Sequence, residues 1–284
     1  MYSAENGACR SCGLRRCLAL PLHLRAVRIT FLGTGTSQGV PIIGCACAVC
    51  QSDDPRDARL RVSVLVETAG RRILIDAGPD LRQQMLRAQV PGLDAVLLTH
   101  EHMDHIAGMD DLRAFSFMHQ PPRAIPIYAD APTSEAVRRV YAYAFREHKY
   151  PGVPEFDLQL IGREPFEAAG VHVLPIEVMH MRMPVLGFRI GGLTYITDAK
   201  TIAPEEKRKI EGSEVLVLNA LRIEPHYSHL NLAEAISLVE ELRPRRAYFT
   251  HISHFMGRHA EVESTLPPHV HLAHDGLVVE LQGR

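Results

Sequence analysis

The stretch Thr99-His100-Glu101-His102-Met103-Asp104-His105 constrains this chain more than any other. It sets three His and one Asp within six residues, almost directly after the apolar run Ala95–Leu98. A short apolar run of that kind reads as a buried strand. Unpaired imidazoles beside a buried strand are costly, so the cluster calls for a partner, and a metal ion is the natural one. His100 and His102, two residues apart, point the same way along an extended segment and can share an ion. Asp104 and His105 sit at the turn into the next helix, within reach of a second ion beside the first.

A second cluster lies upstream. Cys45, Cys47 and Cys50 follow the Gly-rich run Gly33–Pro41, and three thiols at spacings of two and three suit a common ion better than mutual disulfides. They match a structural zinc clamp that lacks its fourth ligand. His254, in Thr250-His-Ile-Ser-His, is the candidate for that place. The Gly-rich run lacks the Gly-Lys-Ser/Thr ending of a phosphate loop and reads as a turn system. Cys9, Cys12, Cys17 and His23 have no standard zinc spacing. Residues 1–26 show no periodicity and are expected to be a disordered extension. Leu18–Leu24 is interrupted by Pro21 and His23 and has no cleavage site, so no secretory leader is expected and a reducing cytoplasm is the expected compartment.

The remainder, 27–284, reads as one α/β domain. Strands are expected from Arg28, at Val62–Glu67 and Arg72–Asp76 around an Ala69-Gly70 turn, and at Ala95–Thr99 and Ile125–Ala129. Others fit Val171–Val178, Leu186–Ile190, Leu193–Thr197, Val215–Leu218, Ala247–Thr250 and Leu277–Leu281. Helices are expected at Asp80–Ala88, Ile106–Phe115, Thr133–His148 and Asn231–Leu242. Hairpins punctuated by helices in both halves imply two sheets packed face to face with helices outside. With 46% apolar residues in a chain of 284 the core is ample. No apolar run approaches the roughly 18 residues of a membrane helix, so no membrane association is expected. The net charge of −2 offers no general field for a polyanion, so no stable nucleic-acid complex is expected.

His-x-His-x-Asp-His after an apolar strand resembles the signature of the metallo-β-lactamase superfamily, whose fold is an αββα sandwich. The resemblance implies three more ligands at later strand ends: His180 after Val171–Val178, Asp198 after Leu193–Thr197, and His251 after Ala247–Thr250. His100, His102 and His180 would then hold one ion, Asp104, His105 and His251 the other, with Asp198 bridging. Nitrogen and oxygen ligands suit Zn²⁺, with Mn²⁺ or iron as alternatives. Two such ions hold a bridging hydroxide as nucleophile for an in-line displacement at phosphorus. Asp76, in Leu-Ile-Asp-Ala-Gly, matches the family's acidic residue that orients a ligand histidine.

The Cys-x-Cys-x-x-Cys and Thr-His-Ile-Ser-His motifs make residues 27–284 similar to the PhnP-type phosphodiesterases. That similarity implies a dinuclear catalytic centre, a structural Cys₃His zinc, and opening of 5-phosphoribosyl 1,2-cyclic phosphate or a similar small phosphodiester. It also implies that His229 contacts phosphate or donates a proton, with His226 its competitor, and is compatible with a homodimer. Arg82, Arg113 and Arg222 are further candidates for phosphate contact. Residues 131–154 read as an insert, either a pocket wall or an amphipathic outer helix. The alternatives are a ribonuclease Z-like nuclease, a thioesterase or lactamase, a mononuclear-iron oxygenase, and a pyrroloquinoline-quinone-linked binding protein. The absence of a Gly-Pro-rich arm counts against the first, and the intact motif counts against the last two.

Overall fold

The computed structural model describes residues 26–118 and 121–281. The expected extension, with its three cysteines and His23, lies outside the described residues apart from Ala26. Six strands open the first sheet: β1 (Val27–Gly33), β2 (Ser63–Thr68), β3 (Arg71–Ile75), β4 (Ala95–Leu97), β5 (Ile125–Ala129) and β6 (Phe156–Leu160). The second sheet holds β7 (Phe166–Ala168), β8 (Val171–His180), β9 (Met183–Ile190), β10 (Leu193–Tyr195), β11 (Val215–Asn219), β12 (Arg246–Thr250) and β13 (Val270–Leu272). The last strand, β14 (Val278–Leu281), returns to the first sheet beside β1. The spatial orders are β14-β1-β2-β3-β4-β5-β6 and β13-β12-β11-β10-β9-β8-β7.

Alternation along the strands explains the layering. In β2, Val64 and Val66 face the second sheet and meet Phe188, Tyr195 and Val217, whereas Leu65 between them faces outward. That outer face is covered by α1 (Leu81–Arg87), α2 (Met103–Ile106), α3 (Arg113–Phe117) and α4 (Ala131–Val140), through Leu81, Met85, Ile106, Phe115, Ala136 and Val137. On the opposite side α5 (Pro204–Ile210), α6 (Leu232–Leu242) and α7 (His259–Glu263) cover the second sheet through Ile210, Leu238, Val239 and Val262. The molecule is the expected αββα sandwich. Among the described residues no helix is long and apolar enough to cross a membrane.

Strand direction decides where chemistry can sit. From β3 to β6 the pairing is parallel, as it is from β10 to β13, while β8 and β9 form an antiparallel hairpin. The carboxyl ends of β3, β4, β10 and β12 are followed by Asp76, the His100 motif, Asp198 and His251, and β8 ends on His180 itself. Sheets of this kind collect their functional loops at strand carboxyl ends.

Some elements differ from expectation. The helix expected over Ile106–Phe115 is instead three pieces, α2, a 3₁₀ turn at Met109–Leu112 and α3. Gly108 interrupts it because its N–H donates to Ala77 O, which docks the motif against the loop after β3. The helix expected over Thr133–His148 ends at Val140, and a 3₁₀ turn follows at Ala142–Phe145. There Tyr141 leaves helical geometry and its hydroxyl donates to Ile106 O. The 131–154 insert thus belongs to the outer helical layer, with Tyr141, Ala144 and Val153 buried in it. Unforeseen were β6, β7, β13, α5 and α7, all short pieces of three to seven residues.

Candidate metal centre

Asp76 anchors the site. It is fully buried at the end of β3, and its carboxylate accepts from Thr99 N (2.9 Å) and from the Thr99 hydroxyl (2.9 Å to Oδ2). Its Oδ2 also lies 2.7 Å from His105 Nδ1. These bonds set tautomers. His105 donates through Nδ1–H, so its Nε2 lone pair faces the cavity. Thr99 spends its hydroxyl proton on Asp76 and therefore accepts from His100 Nδ1–H at 3.0 Å, which frees His100 Nε2. His180 Nδ1–H donates to Ser228 O (2.9 Å) and Asp198 O (3.1 Å), which frees its Nε2 likewise.

The freed nitrogens converge. His100 Nε2 lies 3.0 Å from His102 Nδ1. His105 Nε2 lies 3.3 Å from both Asp104 Oδ2 and Asp198 Oδ2. His251 Nε2 lies 3.3 Å from Asp198 Oδ1 and 3.6 Å from Asp104 Oδ2. Three overlapping triads result, His100–His105–Asp198, Asp104–His105–His251 and His180–Asp198–His229, with ligand atoms in each within 4.8 Å of one another. His105 Nε2, His229 Nδ1 and both ring nitrogens of His251 are buried without a hydrogen-bond partner. The Nε2 atoms of His105 and His251, each 3.3 Å from an Asp198 oxygen, are orphaned buried atoms of the kind that a metal ion would satisfy.

Electrostatics agrees. Burial alone would lower His105, but Asp104, Asp76 and Asp198 outweigh it and hold the ring well above its ordinary value. Burial would raise Asp198, yet His251 and His105 hold it well below the usual carboxylate range. The cavity therefore demands positive charge. Three of its residues, Asp76, Asp198 and His251, have φ of 64°, 57° and 55°, in the left-handed region. Non-glycine residues are held there only where the surrounding structure enforces it, commonly at functional sites.

His229 sits in the third triad. Its Nδ1 is 3.7 Å from Asp198 Oδ1 and its ring is 4.5 Å from His180 and 4.9 Å from His251. Burial, then His251, push it down to about 3, so the ring is neutral at neutral pH rather than cationic. His226 lies farther out, its ring 5.3 Å from that of His229. Arg113 pairs with Asp110 at 3.3 Å, Arg222 donates to Glu224 O and Pro225 O, and Arg82 is exposed on α1.

The second cluster closes across the chain. The Sγ atoms of Cys45, Cys47 and Cys50 lie 3.3, 3.4 and 3.5 Å from one atom, His254 Nδ1. Tetrahedral Zn–S and Zn–N bonds of about 2.3 and 2.0 Å would separate such atoms by roughly 3.5 Å. The N–H groups of Cys50 and Ile42 donate to Cys47 Sγ and Cys50 Sγ, each at 3.4 Å. The first of these pulls Cys47 down to about 6, while burial pushes Cys50 up to about 11.

Sequence reasoning missed Thr99, the hinge of the tautomer network, although its place between strand and motif was a signal. It also missed Asn219, fully buried at the end of β11, whose amide brackets Ala199 N and O and so holds the turn after Asp198. Ser228 was equally silent, since it acts on His180 through its carbonyl.

Comparison with known proteins gives three findings. Residues 71–252 match the Beta-lactamase superfamily domain. The crystal structure of a diphosphatase from the PhnP family superposes with a TM-score of 0.85 at 39% identity, covering 90% of this chain and 97% of that one. An octanoyltransferase from Porphyromonas gingivalis is 42% identical over 254 residues, 88% of this chain and 51% of that protein, and a ribonuclease Z from Bradyrhizobium diazoefficiens is 31% identical over 162 residues, 56% and 48%. The chain thus spans about half the length of these curated relatives.

Proposed function

The chain belongs to the beta-lactamase superfamily and, through its solved relative, to the PhnP family, and from that premise we propose that it is a dinuclear metal-dependent hydrolase of small phosphodiesters. The observation that carries this reading is Asp198, which lies within reach of residues assigned to both cations: its ligand atom groups within 4.8 Å with those of His100 and of His180, and its oxygens lie 3.3 Å from His105 Nε2 and His251 Nε2. In the proposal His100, His102 and His180 hold one cation and Asp104, His105 and His251 the other, with Asp198 between them. Cys45, Cys47, Cys50 and His254 hold a structural zinc. The donor sets suit zinc in the clamp and zinc or manganese in the cavity.

When bound, the pair of cations supplies Lewis acidity toward the phosphoryl oxygens and a water acidic enough to attack at neutral pH. The chain does the rest. Asp76 and Thr99 keep the His100 and His105 rings in the ligating tautomer, and Ser228 does so for His180. His229, neutral beside Asp198, offers an N–H to the oxygen that leaves phosphorus, which eases departure of an alkoxide. Small cyclic phosphodiesters, 5-phosphoribosyl 1,2-cyclic phosphate among them, are the proposed substrate class. The diphosphatase activity named for the solved relative extends it to the chemically similar phosphoanhydride.

Elemental analysis should find about three ions per chain, and the loaded protein should hydrolyse bis(p-nitrophenyl) phosphate. Cys47→Ser should remove one ion and lower the melting temperature while leaving most of the hydrolysis. Full loading without any diesterase turnover would overturn the reading. One observation favours a second reading, hydrolysis at acyl carbon: the 42% identity to a protein named for octanoyl transfer. Turnover of an octanoyl thioester with none of phosphodiesters would select it.

A further inference from the structure

Three residues of the cavity are each preceded directly by a threonine: His100 by Thr99, Asp198 by Thr197 and His251 by Thr250. All three threonines are fully buried, at the carboxyl ends of β4, β10 and β12. They use their hydroxyls differently. Thr99 donates to Asp76. Thr197 donates to Asp198 Oδ2 at 2.6 Å, the short distance of a charge-assisted bond to a carboxylate. The Thr250 hydroxyl has no hydrogen-bond partner among the described residues.

A bond from Thr197 to its immediate neighbour is not what a strand allows, because successive side chains point to opposite faces. The left-handed backbone at Asp198, with φ of 57°, breaks that alternation and turns the carboxylate back toward the Thr197 hydroxyl. The backbone there is clamped from outside. Asn219 accepts from Ala199 N (2.7 Å) and donates to Ala199 O (2.9 Å), and Asp198 O accepts from His180 Nδ1 (3.1 Å). None of these contacts touches the carboxylate, whose terminal torsion is soft. Thr197 is what holds it. Its bond ends on Oδ2, the oxygen 3.3 Å from His105 Nε2, while Oδ1 lies 3.3 Å from His251 Nε2.

We propose that Thr197 is a positioning residue that keeps Asp198 a bridge between two cations and prevents it from closing on one of them. This rests on the dinuclear reading above and adds the residue on which the second ion depends. A carboxylate offers about four lone-pair sites. With one site on Oδ2 spent on Thr197, the plane of the group is set, Oδ2 facing His105 and Oδ1 facing His251. A single ion then cannot turn the carboxylate round and take both oxygens. Without the hydroxyl, the first ion draws both oxygens to itself and leaves the second ion a poorer site.

The test titrates manganese into the full chain with zinc held only in the thiolate clamp, which manganese does not favour. Electron paramagnetic resonance then reads single ions and coupled pairs separately. Thr197→Val keeps the branched shape and removes the hydroxyl. It should weaken the second manganese ion about 10–100-fold, while the first binds within about threefold of the parent. Thr197→Ser should restore the pair, and Thr197→Ala, too small to clash, should repeat the split if the valine variant folds poorly. Thr250→Val is the matched control, a buried threonine before a ligand whose hydroxyl bonds to no described residue, and should pair both ions as the parent does. Equal weakening of both ions in Thr197→Val, no weakening at all, a serine variant that behaves as valine, or the same split in Thr250→Val overturns the positioning role. A parent protein that never shows a coupled pair strikes the dinuclear reading itself, whereas a paired parent with an unchanged Thr197→Val strikes only the role of Thr197.

Discussion

At the scale of single residues, most of the site's organisation passes through Asp76. It accepts from the Thr99 backbone and hydroxyl and from His105, so one carboxylate sets the presentation of two imidazoles. Replacing it by Asn keeps the shape but substitutes an amide donor for an acceptor. Asp76→Asn is expected to weaken metal binding about 10–100-fold, read by competition with a chelator, as is usual when a partner of a ligand histidine is lost. A second residue-scale prediction concerns His259, away from the cavity. Its Nδ1 accepts from the buried Arg59 at 3.1 Å, and burial, then Arg59, then Arg56, push it down to about 4. Since the folded value is below the unfolded 6.5 or so, the unfolded chain takes up the proton first. Stability from this group is present above about pH 6.5 and is lost as pH falls toward 4. His259→Gln, which keeps an acceptor for Arg59 but cannot titrate, should show a shallower fall in denaturant midpoint across that window.

Among elements, the placement of the histidine motif depends on backbone contact rather than on helix propensity. A Cβ on Gly78 would lie 2.1 Å from Asp104 O, and one on Gly108 would lie 2.0 Å from Gly78 O. Neither obstacle is a flexible side chain, so the loop after β3 and the motif would have to separate. Gly78→Ala is expected to cost about 1–3 kcal/mol and to lower metal content, whereas Gly92→Ala, with nothing within 4 Å of the new atom, should stay within about 0.5 kcal/mol. Thermal melts with elemental analysis check both. The same contact explains why the expected Ile106–Phe115 helix is broken. Apolar periodicity runs through Gly108 and gives no sign that its N–H is spoken for by Ala77. The short strands β6 and β13 escaped notice for a related reason, since Phe156–Leu160 is half exposed at a sheet edge and Val270–Leu272 has only three residues. By contrast the Ala69-Gly70 hairpin was legible. Both its turn residues take positive φ, 56° and 73°, and a Gly beside two β-branched runs signals such a turn.

For the molecule as a whole, charge argues about partners. A net charge of −2 supplies little of the counterion-release term that dominates nucleic-acid binding. A precursor tRNA at physiological salt is therefore expected to bind no tighter than about 10⁻⁵ M, measured by mobility shift, within the range of non-specific binding. Tight, salt-sensitive binding would instead favour a nuclease. The sandwich itself was readable in advance, because hairpins punctuated by helices recur in both halves of the chain, and a continuous apolar run such as Val64–Val66 needs cover on both faces.

What the chain's order of residues determined was chemistry and layer: a His-x-His-x-Asp-His run after an apolar strand, three cysteines in six positions, and hairpins punctuated by helices that imply two packed sheets. The sequence offered His254 as the candidate fourth ligand, and the tertiary structure brings it, over 200 positions from Cys45, to 3.3 Å from that sulfur. Only the tertiary structure decided that Asp76, Thr99 and the Ser228 carbonyl would dictate which nitrogen each imbedded imidazole shows the cavity. The physical reason is that side-chain type is local, whereas a tautomer is set by whichever partner the fold brings to the ring's other face.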